Sequence, residues 1–334
     1  MAGQPPGMAG LPTTMDEILI GHIHEAHARI RDRIRRTPVL TSTRLDELAG
    51  AHLFFKCENF QKTGSFKARG AANAVLSLPE SEASRGVATH SSGNHAAAVS
   101  WAAGLRGIKA TVVMPRTASR FKMASVERYG GKIVLCEPTH KAREEAAMRI
   151  IEETGAAMIH PYNQPRVIAG QGTVVLELMD EVAGLDMVVC PVGGGGLLAG
   201  AAIAAKSIRP SITIFAGEPE GAADASRSLA SGHRQPVEHP SSIADGLLAY
   251  VGDLTFPVIQ RHVGGIATVT DDAITAAMVR LFEILKVAVE PSAAVGYAAI
   301  AGGGIDVAGK RVGVILSGGN VDLARTPWSA QVSA

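Results

Sequence analysis

Three separated segments of this chain contain residue types whose chemistry is complementary. Lys67 lies in the segment 61–70, and a lysine amine can form a Schiff base with a carbonyl compound. Four glycines at 193–196 precede an apolar stretch, and glycines that open a helix can cradle a phosphate group with backbone N–H groups. Ser317, in the glycine-rich segment 317–320, can hydrogen-bond a ring nitrogen. Together they predict a site for pyridoxal phosphate, which carries an aldehyde, a phosphate and a pyridine ring.

Each segment alone has a simpler interpretation. Most lysines are solvated surface residues, and glycine runs often form tight turns or bind nucleotides instead. Apolar Phe66 beside Lys67, and a predicted helix directly after it, argue against a solvated surface lysine. The joint occurrence of the three segments therefore favours the cofactor site.

The segment SFKARG around Lys67 resembles the lysine motif of the fold-type II pyridoxal-phosphate enzymes. This group includes serine and threonine dehydratases, serine racemase and the tryptophan synthase β-subunit. The segments SSGNH at 91–95, VGGGG at 192–196 and SGGN at 317–320 match the same group in the same order. The resemblance spans about residues 37–323 and looks closest to the serine racemase and 3-hydroxyaspartate dehydratase branch.

The resemblance implies a role for each matching residue. Lys67 would bind the cofactor aldehyde and later move a proton at the substrate α-carbon, and Ser317 would contact the pyridine nitrogen. A neutral serine there favours loss of a β-substituent over transamination. The implied cofactor contacts are Phe66, Lys67, Asn94, Gly193, Gly194, Gly195, Gly196, Leu197 and Ser317. The implied substrate contacts are Ser91, Ser92, Gly93, Asn94, His95 and Arg143, the last toward a distal carboxylate if it is not an ordinary surface arginine.

Ser92 bears on the type of reaction. Threonine dehydratases usually have alanine at the corresponding position, whereas serine racemases have a serine on the cofactor face opposite the lysine. A racemase needs an acid or base on both faces, so Lys67 and Ser92 would be the catalytic pair. The alternative is that Ser92 caps a helix. Its presence does not exclude dehydration.

A divalent-cation site is also implied. The segment 218–224 resembles the stretch in which serine racemases bind Mg²⁺ or Ca²⁺, and the corresponding ligands are Glu218, the carbonyl group of Ala222 and Asp224. Hard cations such as Mg²⁺, Mn²⁺ and Ca²⁺ prefer oxygen ligands. Ala223 occupies a position where a second acid often occurs, and an acid-rich helix N-terminus is the alternative interpretation.

Alternating β-rich and helical stretches predict an α/β fold with parallel sheets. One series runs from residue 86 to 159, with strands at 86–89, 110–114 and 132–136. A second begins near Gln171, with a helix at 173–182, strands at 187–190, 213–217 and 312–316, and a helix at 272–286; the strand at 51–58 is expected to join it. We expect two open, twisted parallel-sheet domains of the tryptophan synthase β type. Residues 1–80 plus 162–334 would form the large cofactor domain and 81–161 the small domain, with the active site in the cleft between them.

Composition narrows the remaining possibilities. The 334 residues carry a formal net charge of +1, so no bulk field would attract nucleic acid or an anionic membrane. Three cysteines without a CxxC pair predict neither a disulfide framework nor a zinc site, and Cys57 and Cys190 are expected to be buried thiols. No membrane span or secretory signal is expected, so the chain is predicted to be cytoplasmic. The resemblance implies a homodimer.

The main prediction is a lyase that converts serine, threonine or 3-hydroxyaspartate to a 2-oxo acid and ammonia. The alternative is a serine or aspartate racemase. A β-replacement transferase and a non-enzymatic cofactor carrier are two further interpretations. The SSGNH loop and the acidic segment argue against the transferase, and Lys67 with its complete set of pocket residues argues against the carrier.

Overall fold

The computed structural model describes residues 18–91 and 93–322, except for the side chain of His140. In this part of the chain, ten strands form two open sheets flanked by helices. The strands are β1 (Val39–Leu40), β2 (His52–Cys57), β3 (Val87–His90), β4 (Ala110–Pro115), β5 (Lys132–Cys136), β6 (Ala157–Met158), β7 (Met187–Pro191), β8 (Thr213–Pro219), β9 (Gly265–Val269) and β10 (Arg311–Leu316).

The helices alternate with the strands along most of the chain. They are α1 (Ile20–Ile30), α2 (Thr43–Ala49), α3 (Lys67–Leu76), α4 (Glu80–Ala83), α5 (Asn94–Arg106), α6 (Arg120–Arg128), α7 (His140–Thr154), α8 (Pro165–Glu181), α9 (Gly196–Ile208), α10 (Asp224–Ser231), α11 (Phe256–His262), α12 (Asp271–Arg280) and α13 (Pro291–Ala301). No helix in the described ranges is long and apolar enough to cross a membrane.

The first sheet has the strand order β1-β2-β10-β7-β8-β9 and the second the order β5-β4-β3-β6. All pairs are parallel except β1 with β2, which is antiparallel. The expected α/β class with open parallel sheets is confirmed. The N-terminal strand β2 pairs with β10 in the first sheet, so the expectation that residues 51–58 join the second series is also confirmed.

The first sheet is buried on both faces because its central strands are apolar at nearly every position. In β7, Met187 and Val189 belong to one core cluster and Val188 and Cys190 to the other. Helices α8, α9 and α11 cover one face, and α12 and α13 cover the other. Side chains alternate across a strand, so a continuous apolar run is the sequence pattern of such a two-sided strand. Cys57, Cys136 and Cys190 are buried free thiols, as expected for the first and the last of them.

Two predicted helix boundaries are wrong. The helix expected at 173–182 begins at Pro165, whose fixed φ suits the first turn of a helix. The helix expected at 272–286 ends at Arg280 and continues as a π-helical turn, Leu281–Leu285, which Lys286 terminates with φ +62°. A wider turn moves the side chains out of the 3.6-residue register on which the prediction depended.

Candidate active site

Lys67 and Ser317 lie side by side although 250 positions separate them in the sequence. Ser65 forms an isolated antiparallel bridge with Gly318, and the N–H group of Phe66 donates to the carbonyl oxygen of Ser317 at 3.0 Å. Lys67 then begins α3, while Ser317 directly follows β10. The C-terminal end of β10 thus positions the lysine segment, which is the place where open α/β sheets bind ligands.

Lys67 is partly buried. Its Nζ donates to the carbonyl oxygen of Pro161 at 2.8 Å and lies 5.1 Å from the centre of the Phe66 ring. Burial lowers the pKa of Lys67 to about 8, and the nearby carboxylate of Glu290 opposes that shift. A sizeable fraction of the amine is therefore neutral near physiological pH, and the neutral amine is the form that acts as a nucleophile or base.

The glycine loop lies next to the lysine through Tyr162, which follows Pro161. A Cβ atom at Gly194 would lie 2.4 Å from the Tyr162 ring, so only glycine fits beneath that ring. The carbonyl oxygen of Gly194 accepts from Oγ1 of Thr255 at 2.8 Å, and Gly195 has φ +86° at the start of α9. Gly195 has no side chain that could cap α9, so the loop leaves the first N–H groups of the helix for an anion.

Two hydroxyl groups near Lys67, those of Thr63 and Ser65, are buried without a partner among the described residues. Ser317, which is 3% exposed, lies beside them. Buried polar groups are normally satisfied, so these groups indicate a place for a polar ligand.

A side chain that the sequence analysis did not single out, Glu290, lies beside this group. Its Oε1 accepts from Nδ2 of Asn94 at 2.7 Å, and Oδ1 of Asn94 accepts from Nδ2 of Asn320 at 2.8 Å. Burial, and then the Asp245 carboxylate, raises the pKa of Glu290 to about 7. One acid in an apolar run before Pro291 was the signal available in the sequence.

The segment 91–95 leads from β3 into α5. Oγ of Ser91 accepts from the N–H group of Gly93 at 3.3 Å, and α5 begins at Asn94. His95 is buried; its Nε2 donates to the carbonyl oxygen of Ile159 at 3.0 Å, and its Nδ1 is unpaired among the described residues. Burial, and then the charge of Lys67, lowers the pKa of His95 well below its usual value. Ser92 lies outside the described residues.

Arg143 lies on α7, partly exposed. Its Nε donates only a long hydrogen bond, 3.4 Å, to the carbonyl oxygen of Thr139 in its own first turn. No ion pair involves Arg143 within the described residues. Burial raises the pKa of Tyr162 to about 12, and the charge of Arg143 is one of those that oppose this shift. Within the described residues, the guanidinium group therefore has no ion-pair partner. Its charge acts on Tyr162, which packs on the glycine loop.

The acidic segment 218–224 spans the end of β8 and the start of α10, and its carboxylates accept hydrogen bonds from backbone N–H groups. The two carboxylate oxygens of Glu218 accept from the N–H groups of Ala225 and Ser226, each at 2.8 Å, and Oδ2 of Asp224 accepts from Val251 at 2.9 Å. Burial raises the pKa of Glu218 to about 8 and that of Asp224 to about 6. Within the described residues, no cluster of three or more His, Cys, Asp or Glu side chains suited to a metal ion occurs.

These features define an α/β enzyme site built around one amine, a glycine-rich anion cradle and a buried serine. Residues 30–318 match the family described as pyridoxal-phosphate dependent enzyme. The chain belongs to that family, so the resemblance drawn from the SFKARG and SGGN segments is confirmed.

Individual relatives are similar over nearly their whole length. The chain is 51% identical over 304 residues to the β-hydroxyaspartate dehydratase of Paracoccus denitrificans (strain Pd 1222), covering 91% of this chain and 96% of the relative. It is 47% identical over 322 residues to the serine racemase of Homo sapiens, covering 94% and 95%. The structure of maize serine racemase matches with a TM-score of 0.91 and 48% identity, covering 94% of this chain and 97% of that one. A threonine deaminase from T.th. matches with a TM-score of 0.87 and 42% identity, covering 92% and 100%.

The residues present fit pyridoxal phosphate. The amine with the lowered pKa, the uncapped glycine turn at the start of α9 and the unpaired buried hydroxyl groups complement an aldehyde, a phosphate and a polar ring. The structure brings Phe66, Lys67 and Ser317 together directly, Asn94 through Glu290 and Asn320, and the glycine loop through Tyr162. In the acidic segment 218–224, the carboxylates of Glu218 and Asp224 accept hydrogen bonds from backbone N–H groups.

Proposed function

We propose that this chain is a pyridoxal-phosphate-dependent lyase acting on a small β-hydroxy amino acid, namely serine, threonine or 3-hydroxyaspartate. The substrate loses its α-proton and its β-hydroxyl group, and water then releases ammonia, so that the net products are a 2-oxo acid and ammonia. The observation that carries this proposal is the Lys67 amine, with its pKa lowered to about 8, next to the Ser317 segment. The relatives named as a dehydratase and a threonine deaminase support it.

The cofactor would be held by both sheets. Phe66, Lys67 and Ser317 come from the β10 end of the first sheet and Asn94 from α5 beside the second. The N–H groups of the loop formed by Gly193, Gly194, Gly195, Gly196 and Leu197 would hold the phosphate. When bound, pyridoxal phosphate withdraws electron density from the substrate α-carbon. Ser317, a neutral partner for the ring nitrogen, suits β-elimination better than transamination.

Lys67 would move the proton at the substrate α-carbon. With a pKa of about 8, roughly a tenth of the amine is neutral at pH 7, against less than a thousandth for an ordinary lysine. Burial thus makes Lys67 a usable base without removing its ability to hold a proton afterwards. Pro161, whose carbonyl oxygen accepts from Nζ at 2.8 Å, keeps the amine in place before the substrate arrives.

The substrate carboxylate would be held at the N-terminus of α5, by N–H groups of the segment Ser91, Ser92, Gly93, Asn94 and His95. Arg143 would contact a second carboxylate on the β-carbon, which favours 3-hydroxyaspartate over serine. The absence of an ion pair to Arg143 in the described residues, where its Nε makes only a long hydrogen bond to Thr139, supports this assignment.

Racemisation of serine or aspartate is the second candidate, with Lys67 and Ser92 on opposite faces of the substrate. The serine racemases among the relatives support it, with identities of 47% for the human protein and 51% for that of Arabidopsis thaliana. Dehydration and racemisation share the removal of the α-proton and differ in the next step. Loss of the hydroxyl group gives the 2-oxo acid, whereas return of a proton to the other face gives the D-amino acid.

A divalent cation, Mg²⁺, Mn²⁺ or Ca²⁺, would bind at Glu218, the carbonyl group of Ala222 and Asp224. Both acids are buried with raised pKa values, and a bound cation would compensate their negative charges. The enzyme would be a homodimer, which light scattering would test. Free cysteines that are all buried fit a reducing compartment, so we place it in the cytoplasm.

The purified enzyme with Mg²⁺ would be given L-serine, L-threonine and L-threo-3-hydroxyaspartate in turn, with 2-oxo acid and amino-acid chirality measured together. We expect 2-oxo acid as the main product, with 3-hydroxyaspartate reacting fastest. Lys67→Ala should abolish turnover, whereas Lys109→Ala, at an exposed position, should not. D-amino acid without 2-oxo acid would favour the racemase, and turnover by Lys67→Ala would refute both assignments.

Substrate choice has its own matched pair of variants. Arg143→Met should lower kcat/KM for 3-hydroxyaspartate at least tenfold, as expected for loss of a charge-assisted hydrogen bond of about 1.5–3 kcal/mol, and change that for L-serine little. Arg149→Met removes an exposed arginine from the same helix and should change neither value. Equal losses for both substrates would contradict the assignment of Arg143 to a distal carboxylate.

A further inference from the structure

Two residues after Lys67, the guanidinium group of Arg69 is fully enclosed by protein. Its Nε and Nη2 donate to the two carboxylate oxygens of Glu58, both at 2.8 Å. Its Nη1 and Nη2 donate to the two oxygens of Glu177 at 2.8 and 2.7 Å, and Nη1 also donates to Oγ1 of Thr173 at 3.2 Å. Each of the five N–H groups of the arginine therefore has an acceptor.

A second cation balances the charge of this group. Nζ of Lys56 donates to Oε2 of Glu177 at 2.9 Å and to the carbonyl oxygen of Thr37 at 2.7 Å. Lys56, Glu58, Arg69 and Glu177 are all buried and together carry no net charge; we call them the internal ion cluster. Buried charges persist only where partners and hydrogen bonds compensate their desolvation, so the geometry of this cluster is tightly constrained.

The internal ion cluster joins α3, the helix that begins at Lys67, to the end of β2 and to α8. Lys56 lies in β2 and Glu58 directly follows it, Arg69 lies in α3, and Glu177 lies in α8. Residues two apart on a helix point to different sides. The ion pairs of Arg69 therefore bind the side of α3 that faces away from Lys67.

A close backbone contact fixes the same side of α3. A Cβ atom at Gly170 in α8 would lie 2.6 Å from Cα of Gly70, and the N–H group of Gly70 donates to Oε1 of Gln171 at 3.1 Å. The two helices therefore touch at the residue that follows Arg69. The two helices are closely packed there, so a shift of Arg69 would also move the first turn of α3.

We propose that Arg69, fastened by the internal ion cluster, is a positioning residue that holds the Lys67 amine at its place in the site. This inference rests on the proposed role of Lys67 as the reacting amine. Arg69 itself touches neither substrate nor cofactor. It acts by setting the position of the first turn of α3 relative to the end of β2 and to α8.

The surroundings of Lys67 make its pKa a readout of that position. Glu290 from the start of α13, His95 from α5 and His160 from the segment after β6 are the titratable groups that interact with the amine. Burial is the main cause of the lowered pKa, and Glu290 opposes it. A shift of α3 that admits water would therefore return the pKa toward that of an ordinary lysine.

The test uses the full-length chain after removal of its cofactor, labelled with trace acetic anhydride over a range of pH. Mass spectrometry of the peptide that contains Lys67 then gives the pKa and reactivity of this amine. Arg69→Lys keeps the charge but loses the forked geometry, and we expect the pKa of Lys67 to rise by about one unit, which lowers its neutral fraction at pH 7 roughly tenfold.

Arg106→Lys is the matched control. Arg106 donates to the carbonyl oxygens of Val75 and Leu78 at 2.9 and 2.6 Å, at the opposite end of α3. This variant should lower the melting temperature and leave the pKa of Lys67 unchanged, which separates a positional effect from a general loss of stability.

Two milder variants keep the proposal testable if Arg69→Lys does not fold. Thr173→Val removes one hydrogen bond to Nη1. Thr37→Val removes the hydrogen bond that Oγ1 of Thr37 donates to Oε1 of Glu58 at 2.6 Å. Neither variant changes the charge of the cluster, so both should raise the pKa of Lys67 in the same direction. A folded Arg69→Lys with the parental pKa and reactivity of Lys67, or two milder variants that both retain them, would overturn the proposal. The labelling does not measure turnover, so an inactive parent enzyme would refute the proposed function and leave this result to stand separately.

Discussion

The side-chain amide of Asn94 and the carboxylate of Glu290 meet across the two sheets, with Nδ2 of Asn94 2.7 Å from Oε1 of Glu290. Asn94 begins α5, which packs on the second sheet, and Glu290 precedes α13, which packs on the first. The N–H group of Glu290 donates to the carbonyl oxygen of Gly318, one residue after Ser317. This pair therefore ties the segment of Ser317 to the helix that would hold the substrate carboxylate.

Glu290→Gln should change how stability depends on pH. The pKa of Glu290 is about 7 in the folded chain and about 4.3 in an unfolded one, so the folded state binds this proton more tightly. Its contribution is complete below about pH 4.3 and is lost as the pH rises through about 7, at a cost of up to about 4 kcal/mol. Glutamine can still accept from Asn94, so this variant should gain stability relative to the parent from pH 5 to 8.

Urea unfolding at several pH values would measure that difference. Glu283→Gln, at an exposed position, is the control and should follow the parent at every pH. Parallel curves for Glu290→Gln and the parent would show that Glu290 does not titrate in this interval.

Asn320→Ala should lower the stability of the protein, because Asn320 links the segment after β10 to Thr63 and to Asn94. Nδ2 of Asn320 donates to the carbonyl oxygen of Thr63 and to Oδ1 of Asn94, both at 2.8 Å. Loss of two partly buried hydrogen bonds should cost about 1–3 kcal/mol in the free energy of unfolding. Asn59→Ala removes a single exposed hydrogen bond of 3.2 Å to the carbonyl oxygen of Ala288 and is the control. If Asn59→Ala lowered the free energy of unfolding as much as Asn320→Ala, the two hydrogen bonds of Asn320 would not stabilise the site.

Gly194→Ala should weaken cofactor binding more than alanine at other glycines would. The added Cβ atom would lie 2.4 Å from the Tyr162 ring, so the loop or the ring must move and the anion cradle with it. We expect at least a tenfold rise in the Kd for pyridoxal phosphate, equal to about 1.4 kcal/mol, measured by fluorescence titration. Gly104→Ala, where an added Cβ meets nothing within 4 Å, should leave the Kd unchanged; equal Kd values for the two variants would exclude the cradle.

Glu218→Gln tests the proposed cation site. A ligand that binds only the folded state raises the melting temperature with concentration, so Mg²⁺, Mn²⁺ or Ca²⁺ should stabilise the parent and not this variant. Glu220→Gln changes an exposed acid of the same segment and should keep the effect. Stabilisation that persists in Glu218→Gln would place the cation elsewhere.

Much of the architecture could be predicted because it depends on local patterns. Continuous apolar runs such as 187–190 and 312–316 predicted the central strands of the first sheet, and β2 was correctly assigned to it. The antiparallel strand β1, with two residues, has no pattern long enough to read. The π-helical turn after Arg280 was missed for a similar reason, since apolar spacing alone does not distinguish a widened turn from an α-helix.

By itself the sequence determined the chemical groups of the site, namely an amine at Lys67, a glycine loop at 193–196 and a hydroxyl group at Ser317. Each of them lies in a short motif that can be recognised without knowing the fold. Only the tertiary structure decided what surrounds them. The depth of burial that lowers the pKa of Lys67, the contact between Asn94 and Glu290, and the internal ion cluster around Arg69 join residues 11 to 196 positions apart. Electric charges and hydrogen bonds act through space, and no local pattern records which distant residue will complete them.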